Sequence, residues 1–142
     1  DGGTIALVDI DNFTVLAAAA DVVAATAVVV QTIAADNTAA AANANVFLLN
    51  GGATTFADAD AATDAIEASG AFSLTVGAQI VDHAFFLAYE KTGGGVNLAV
   101  ANFNTGQAAA VIVDDTLEFA DLGTLAGVND VTTLTAANFD FI

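Results

Sequence analysis

Cysteine, proline, methionine, tryptophan and arginine are all missing from this 142-residue chain, and Lys91 and His83 are the only lysine and histidine. Without cysteine there is no disulfide, no thiolate nucleophile and no cysteine-based zinc or iron–sulfur site. A single histidine rules out metal centres built from several imidazoles. Against the one lysine stand 17 Asp and Glu, for a net charge of −16. One cation cannot neutralise a track of phosphates, so nucleic acid is not expected as a partner. Attraction to an anionic membrane surface fails for the same reason. Long apolar runs are missing too. The charge-free run Val22–Ala35 has 14 residues, short of the ~20 that a spanning helix needs. The longer run Thr92–Val113 is interrupted by Gly93, Gly94, Gly95, Asn97, Asn102, Asn104 and Gly106. No membrane insertion is expected.

What remains is apolar and small. Alanine supplies 35 residues, hydrophobic residues make up 56% of the chain, and the mean hydropathy is +0.71 with ten Phe. Disordered chains combine high net charge with low hydropathy, so this chain is expected to fold. Only 13% of residues are charged, which separates it from the charge-dense surfaces of halophilic enzymes; its polar face is built from Thr, Asn and Gly. The length fits one domain, residues 1–142, able to bury most of its unfolded surface without a staple. The chain opens at Asp1 with neither Met nor a basic leader, and is expected to be a processed product or a fragment.

With proline absent, turns fall to Gly, Asn and Asp. Between Gly2–Gly3, Asn50–Gly51–Gly52, Gly93–Gly94–Gly95, Thr105–Gly106 and Asn129–Asp130 the β signals recur. They cover Thr4–Leu16, Val28–Ile33, Val46–Leu49, Phe72–Val76, Phe85–Glu90, Val96–Phe103, Ala110–Val113, Leu117–Phe119 and Phe139–Ile142. Phe85–Glu90 and Val96–Phe103 flank a Lys-Thr-Gly-Gly-Gly linker that reads as a hairpin loop of about five residues. Asp58 or Asp60 caps a helix over Ala61–Ala68 that Gly70 stops, and a second short turn is placed at Val131–Leu134. The alanine blocks Ala17–Ala20 and Ala39–Ala42 fit helix or strand equally. The pattern predicts a mainly β fold, an antiparallel β-sandwich-like domain with one or two short helices.

No catalytic constellation stands out. Ser69 or Ser73, His83 and an Asp can be assembled into a triad on paper, but neither serine sits in a Gly-x-Ser-x-Gly elbow. Glu67, Glu90 and Glu118 could pair as glycosidase carboxylates, yet Tyr89 is the only tyrosine and there is no Trp platform for a sugar. The chain reads as a non-enzyme. Calcium is the expected ion, because it takes six to eight hard oxygen ligands. The candidate ligands are Asp9, Asp11 and Asn12; Asp58, Asp60 and Asp64; and Asp114 with Asp115. Asp9 and Asp11 lie on the same side of a strand, where a cation would relieve their repulsion. Asp58-x-Asp60-x3-Asp64 lacks the glycine and closing Glu of an EF-hand, and its first two acids also suit a helix cap and first turn.

The last third carries a resemblance. Ala84–Tyr89 (AFFLAY), Val96–Ala101 (VNLAVA), Leu125-Ala126-Gly127-Val128 and the closing Leu134-Thr135-Ala136-Ala137-Asn138-Phe139-Asp140-Phe141-Ile142 resemble the C-terminal domains of secreted haemolysin-type calcium-binding (repeats-in-toxin-like) bacterial surface proteins, over about residues 84–142 with a vaguer likeness around Val46–Glu67. The resemblance implies type I secretion, an extracellular or cell-surface address, and a role in surface layers, adhesion or fibres. One departure matters: the Gly-Gly-x-Gly-x-Asp calcium nonapeptide is absent, so no residue inherits the family's calcium roll.

The functional expectation is an extracellular structural protein, a self-assembling subunit of a surface layer, sheath or filament, whose partner is another copy of itself. The alternative is a calcium-dependent adhesin or module that binds a cell-surface glycan. In the self-assembling reading, residues 1–16 form an N-terminal strand exchanged between subunits, with Ile5, Leu7, Phe13 and Val15 as its contact face.

Overall fold

The computed structural model describes residues 5–6, 28–41, 44–77, 84–105, 111–113 and 117–140. In chain order the strands are β1 (Ile5–Ala6), β2 (Val30–Ile33), β3 (Thr38–Ala39), β4 (Val46–Leu49), β5 (Leu74–Val76), β6 (Ala84–Glu90), β7 (Val96–Phe103), β8 (Val111–Ile112), β9 (Leu117–Leu125) and β10 (Phe139–Asp140). The helix α1 (Ala59–Ile66) lies between β4 and β5, and two single-turn 3₁₀ helices, Val131–Thr133 and Ala136–Asn138, precede β10.

The centre is a five-stranded sheet in the order β2-β4-β6-β7-β9. Its first two pairings, β2 with β4 and β4 with β6, are parallel; β6–β7 and β7–β9 are antiparallel. A three-stranded sheet, β3-β5-β8, and a two-stranded parallel pair, β1-β10, complete the described strands. The mainly β expectation holds. The antiparallel sandwich does not: the central sheet is mixed, and what covers its two faces differs in kind. The physical reason lies in β4, whose four residues are all buried. A strand buried on both faces belongs in the middle of a layered stack, where parallel pairing is at home.

Alternation along the strands divides the core in two. Phe47, Leu49, Phe85, Leu87, Tyr89, Ala99, Ala101 and Phe103 face one side, packed against Phe56, Leu74, Val76, Val113 and the α1 residues Ala59, Ala62 and Ile66. Val46, Leu48, Phe86, Ala88, Val96, Leu98 and Val100 face the other, covered by Val131, Leu134 and Phe139 of the C-terminal segment. We call these the helix face and the tail face. Edge-to-face rings reinforce the helix face: Phe47 with Phe85 at 5.2 Å between centroids, and Phe56 with Phe72 and Tyr89 at 6.2 Å each.

Several boundaries match the sequence reading. β4 and β7 span the predicted residues, and the hairpin loop forms as expected. Lys91 N–H donates to the Gly95 carbonyl, and Gly93, Gly94 and Gly95 all take positive φ. The helix begins two residues early, at Ala59, because Asp58 is the cap: its carboxylate accepts from Ala61 N–H at 3.0 Å. β3 joins Thr38 to Ala39, the first residue of an alanine block that fits helix or strand equally, and β9 runs six residues past its predicted end. The first and last predicted strands are described only at Ile5–Ala6 and Phe139–Asp140, where they pair with each other in parallel within one chain. Exchange of the N-terminal strand between copies would remake that pairing with a partner's strand. Ala17–Ala20 lies outside the described residues.

Candidate functional site

The longest of the described strands is also largely uncovered. β9 is nine residues long and pairs with β7 on one side only. Seven of its nine residues, Glu118 to Thr124, are exposed. Phe119 and Leu122 keep 40% and 47% of their surface in water and are the exposed large hydrophobic residues among those described. On its outer side β9 has no strand partner among the described residues.

A bulge shapes this edge. Leu98 of β7 is opposite Gly123 and Ala99 is opposite Asp121, so Leu122 is the extra residue with no partner across the ladder. Gly123 takes φ +112°, a conformation open to glycine and strained for any L side chain. Asp121 stitches the irregularity: one carboxylate oxygen accepts from Gly123 N–H and from the Asn97 amide, both at 2.8 Å.

Asn97 anchors the edge to the core. It is fully buried, and its amide nitrogen donates to Asp121 and to the Tyr89 hydroxyl at 2.9 Å, while its carbonyl oxygen accepts from the Thr124 hydroxyl at 2.6 Å. A buried amide with its side-chain groups engaged in this way is stabilising; with one partner removed it becomes costly. Burial pushes the Tyr89 phenol above its usual range.

Strand edges of soluble proteins are usually guarded by lysine, proline, a bulge or an inward-pointing charge. β9 has the bulge and the acids Glu118 and Asp121, and the chain has no proline and no lysine but Lys91. Among the described residues the opposite edge of the same sheet is β2, four residues long and uncharged, with Thr32 exposed and Ile33 buried. Gln31 ties β2 to the segment over the helix face: its amide donates to the Ala39 carbonyl at 2.8 Å and accepts from Ala41 N–H at 2.6 Å.

The carboxylates singled out from the sequence do not gather around one point where the structure describes them. Asp58 is occupied as the helix cap, while Asp60 and Asp64 are exposed on α1. Among the described residues no three His, Cys, Asp or Glu side chains are close enough to share a metal ion. Asp9, Asp11, Asn12, Asp114 and Asp115 lie outside the described residues, as do Leu7, Phe13, Val15 and His83. Ile5 is described as a strand residue opposite Phe139. Ser69 is exposed, whereas Ser73 is buried and donates its hydroxyl to Asp36. That bond, followed by the Asn37 N–H, holds the Asp36 carboxyl below its usual range.

The sequence reading missed the β9 edge because Asp121 and Gly123 look like strand breakers. The signal lay in what surrounds them: Leu117, Phe119, Leu122 and Leu125 continue an apolar spacing of two or three residues through the supposed break. Compared with protein-family models, with curated proteins and with solved structures, the chain matches none of them.

Proposed function

We propose that this chain is a non-enzymatic structural protein of the cell exterior, a self-assembling subunit of a surface layer, sheath or filament. The observation that carries the reading is the β9 edge: nine residues long, seven of them exposed, with Phe119 and Leu122 in water. Its guards are one bulge and the acids Glu118 and Asp121, with neither lysine nor proline, and the rest of its length offers backbone groups to another chain. In a monomer it is a liability; in a subunit it is an interface.

Composition supports the address. A chain free of cysteine needs no oxidising compartment to fold, and a single Lys91 leaves one site for trypsin-like proteases. The −16 charge keeps copies apart except where backbone pairing overcomes it, and calcium is the proposed counter-ion that lowers this barrier.

Electron microscopy of the purified chain, with millimolar calcium and with a chelator, tests the reading. Ordered filaments or layers are expected, more abundant with calcium. Protein that stays monomeric at every calcium level and concentration tested overturns self-assembly.

A further inference from the structure

Among the described residues β9 and β2 are the two edges of one sheet, and their directions are compatible. β2, β4 and β6 run parallel; β7 reverses, and β9 reverses again, so β9 points the same way as β2. A second copy placed beside the first with its faces aligned brings its β2 alongside β9 in parallel. The side chains then sort correctly. Phe119 shares the helix face with Ala101, and Gln31 and Ile33 share it through their partners Phe47 and Leu49. Thr32, opposite Leu48, lies on the tail face with Glu118, whose partner Asn102 follows the same alternation as Val100.

Charge chooses between the candidate partners for β9. Two β9 edges meeting about a two-fold axis would bring Glu118 and Asp121 of one copy towards those of the other, and Lys91 is the only cation in either chain. Like charges facing each other across a strand pair are destabilising. β2, with Val28 and Val29 before it, offers a run of six residues, Val-Val-Val-Gln-Thr-Ile, without a charge.

We infer that the β9 edge of one copy receives the β2 edge of the next, so that the central sheets join in parallel into one continuous ribbon. This inference rests on the self-assembly reading and names its interface. The contact is heterologous and leaves a free β9 at one end and a free β2 at the other, so it propagates rather than closing at a dimer. Each copy adds five strands, and at about 4.8 Å per strand the axial rise is about 24 Å per copy.

The test uses the 142-residue chain and three variants: Phe119→Lys/Leu122→Lys at the β9 edge, Thr32→Lys at the β2 edge, and a chain lacking residues 1–16. All three substituted positions are exposed, so far-ultraviolet circular dichroism and melting should match wild type. Added lysines lessen the net negative charge, so a loss of assembly cannot come from greater self-repulsion. Wild-type filaments with an axial rise near 24 Å are expected. Each edge variant alone should lose polymer mass by about tenfold or more, and an equimolar mixture of the two should stop at a heterodimer through the one intact pair of edges. Edge variants that polymerise like wild type overturn the inference while leaving self-assembly standing. Thr32→Lys protein that still pairs, beside a monomeric Phe119→Lys/Leu122→Lys protein, overturns β2 as the partner and points to β9 with itself. Assembly lost in the truncated chain but kept in both edge variants overturns it in favour of N-terminal strand exchange. A monomeric wild type overturns both this inference and the reading beneath it.

Discussion

Asn97 shows how much one polar side chain can decide. Among aliphatic neighbours on β7 it is fully buried, and its three bonds join the core ring Tyr89 to the edge residues Asp121 and Thr124. Asn97→Ala should destabilise the fold by about 2–3 kcal/mol, because the Tyr89 hydroxyl loses its amide donor in a buried setting. Tyr89→Phe should cost about 1 kcal/mol alone and less in the Asn97→Ala background, a non-additivity that urea unfolding of the two single variants and the double variant would measure. If the costs simply add, the two residues do not share a network. Ser73 offers a titration instead. Its hydroxyl is the main reason that the Asp36 carboxyl lies below its ordinary 3.8. A depressed folded-state value contributes stability that is present above the unfolded value and lost as pH falls through the folded one. Asp130, held down first by the Thr132 hydroxyl and then by its N–H, acts in the same sense. Ser73→Ala should move Asp36 upward, towards 3.8, and narrow that acid-dependent loss. Carboxyl carbon shifts followed by NMR against pH would show the move, and an unchanged midpoint would rule out the Ser73 bond as the cause.

Helix α1 is short and depends on its ends. Asp58 caps the start, and the exit folds back tightly: Gly70 N–H donates to the Glu67 carbonyl at 2.8 Å, and Phe72 N–H donates to the Ala65 carbonyl at 2.8 Å. A Cβ at Gly70 would overlap the Ala65 backbone carbonyl, a group with no room to yield. Gly70→Ala should therefore destabilise the protein by about 1–3 kcal/mol, the range for overpacking. Thermal melting reads the result, with Gly77→Ala as a control, since a Cβ there meets nothing within 4 Å. Equal melting temperatures for the two variants would mean that the helix exit adjusts freely. The return after Gly70 matters beyond the helix, because it carries Phe72 to its ring contact with Phe56 and leads into β5.

At the scale of the molecule, charge opposes compactness. A net charge of −16 on 14.0 kDa exceeds the magnitude of about 2–8 that suits a small domain. Screening should raise the melting temperature as salt increases. Calcium at matched ionic strength should raise it further if carboxylates such as Asp9 with Asp11, or Asp114 with Asp115, bind it as ligands. Melting in chelator and in millimolar calcium, with sodium chloride balancing ionic strength, separates the two effects. Coincident midpoints would end the case for specific calcium sites.

The sequence by itself determined the strands whose burial is written into consecutive residues. Val46–Leu49 and Val96–Phe103 could hardly be anything else, and Lys91 to Gly95 could hardly avoid a turn, since three adjacent glycines supply the positive φ that a tight loop needs. Composition also excluded disulfides and metal centres built from several histidines of this chain. Only the tertiary structure decided which strands are neighbours. Parallel pairing of β2, β4 and β6 depends on partners 16 and 40 residues apart in register, Val30 with Val46 and Val46 with Phe86, and no local pattern encodes such a distance. The same holds for β9. Its Asp121 and Gly123 look like an end when read along the chain, and become a bulge within a longer strand once β7 lies beside them and Asn97 reaches across. Periodicity records which face of a strand is buried, but the edge of a sheet exists only after the strands have been laid side by side.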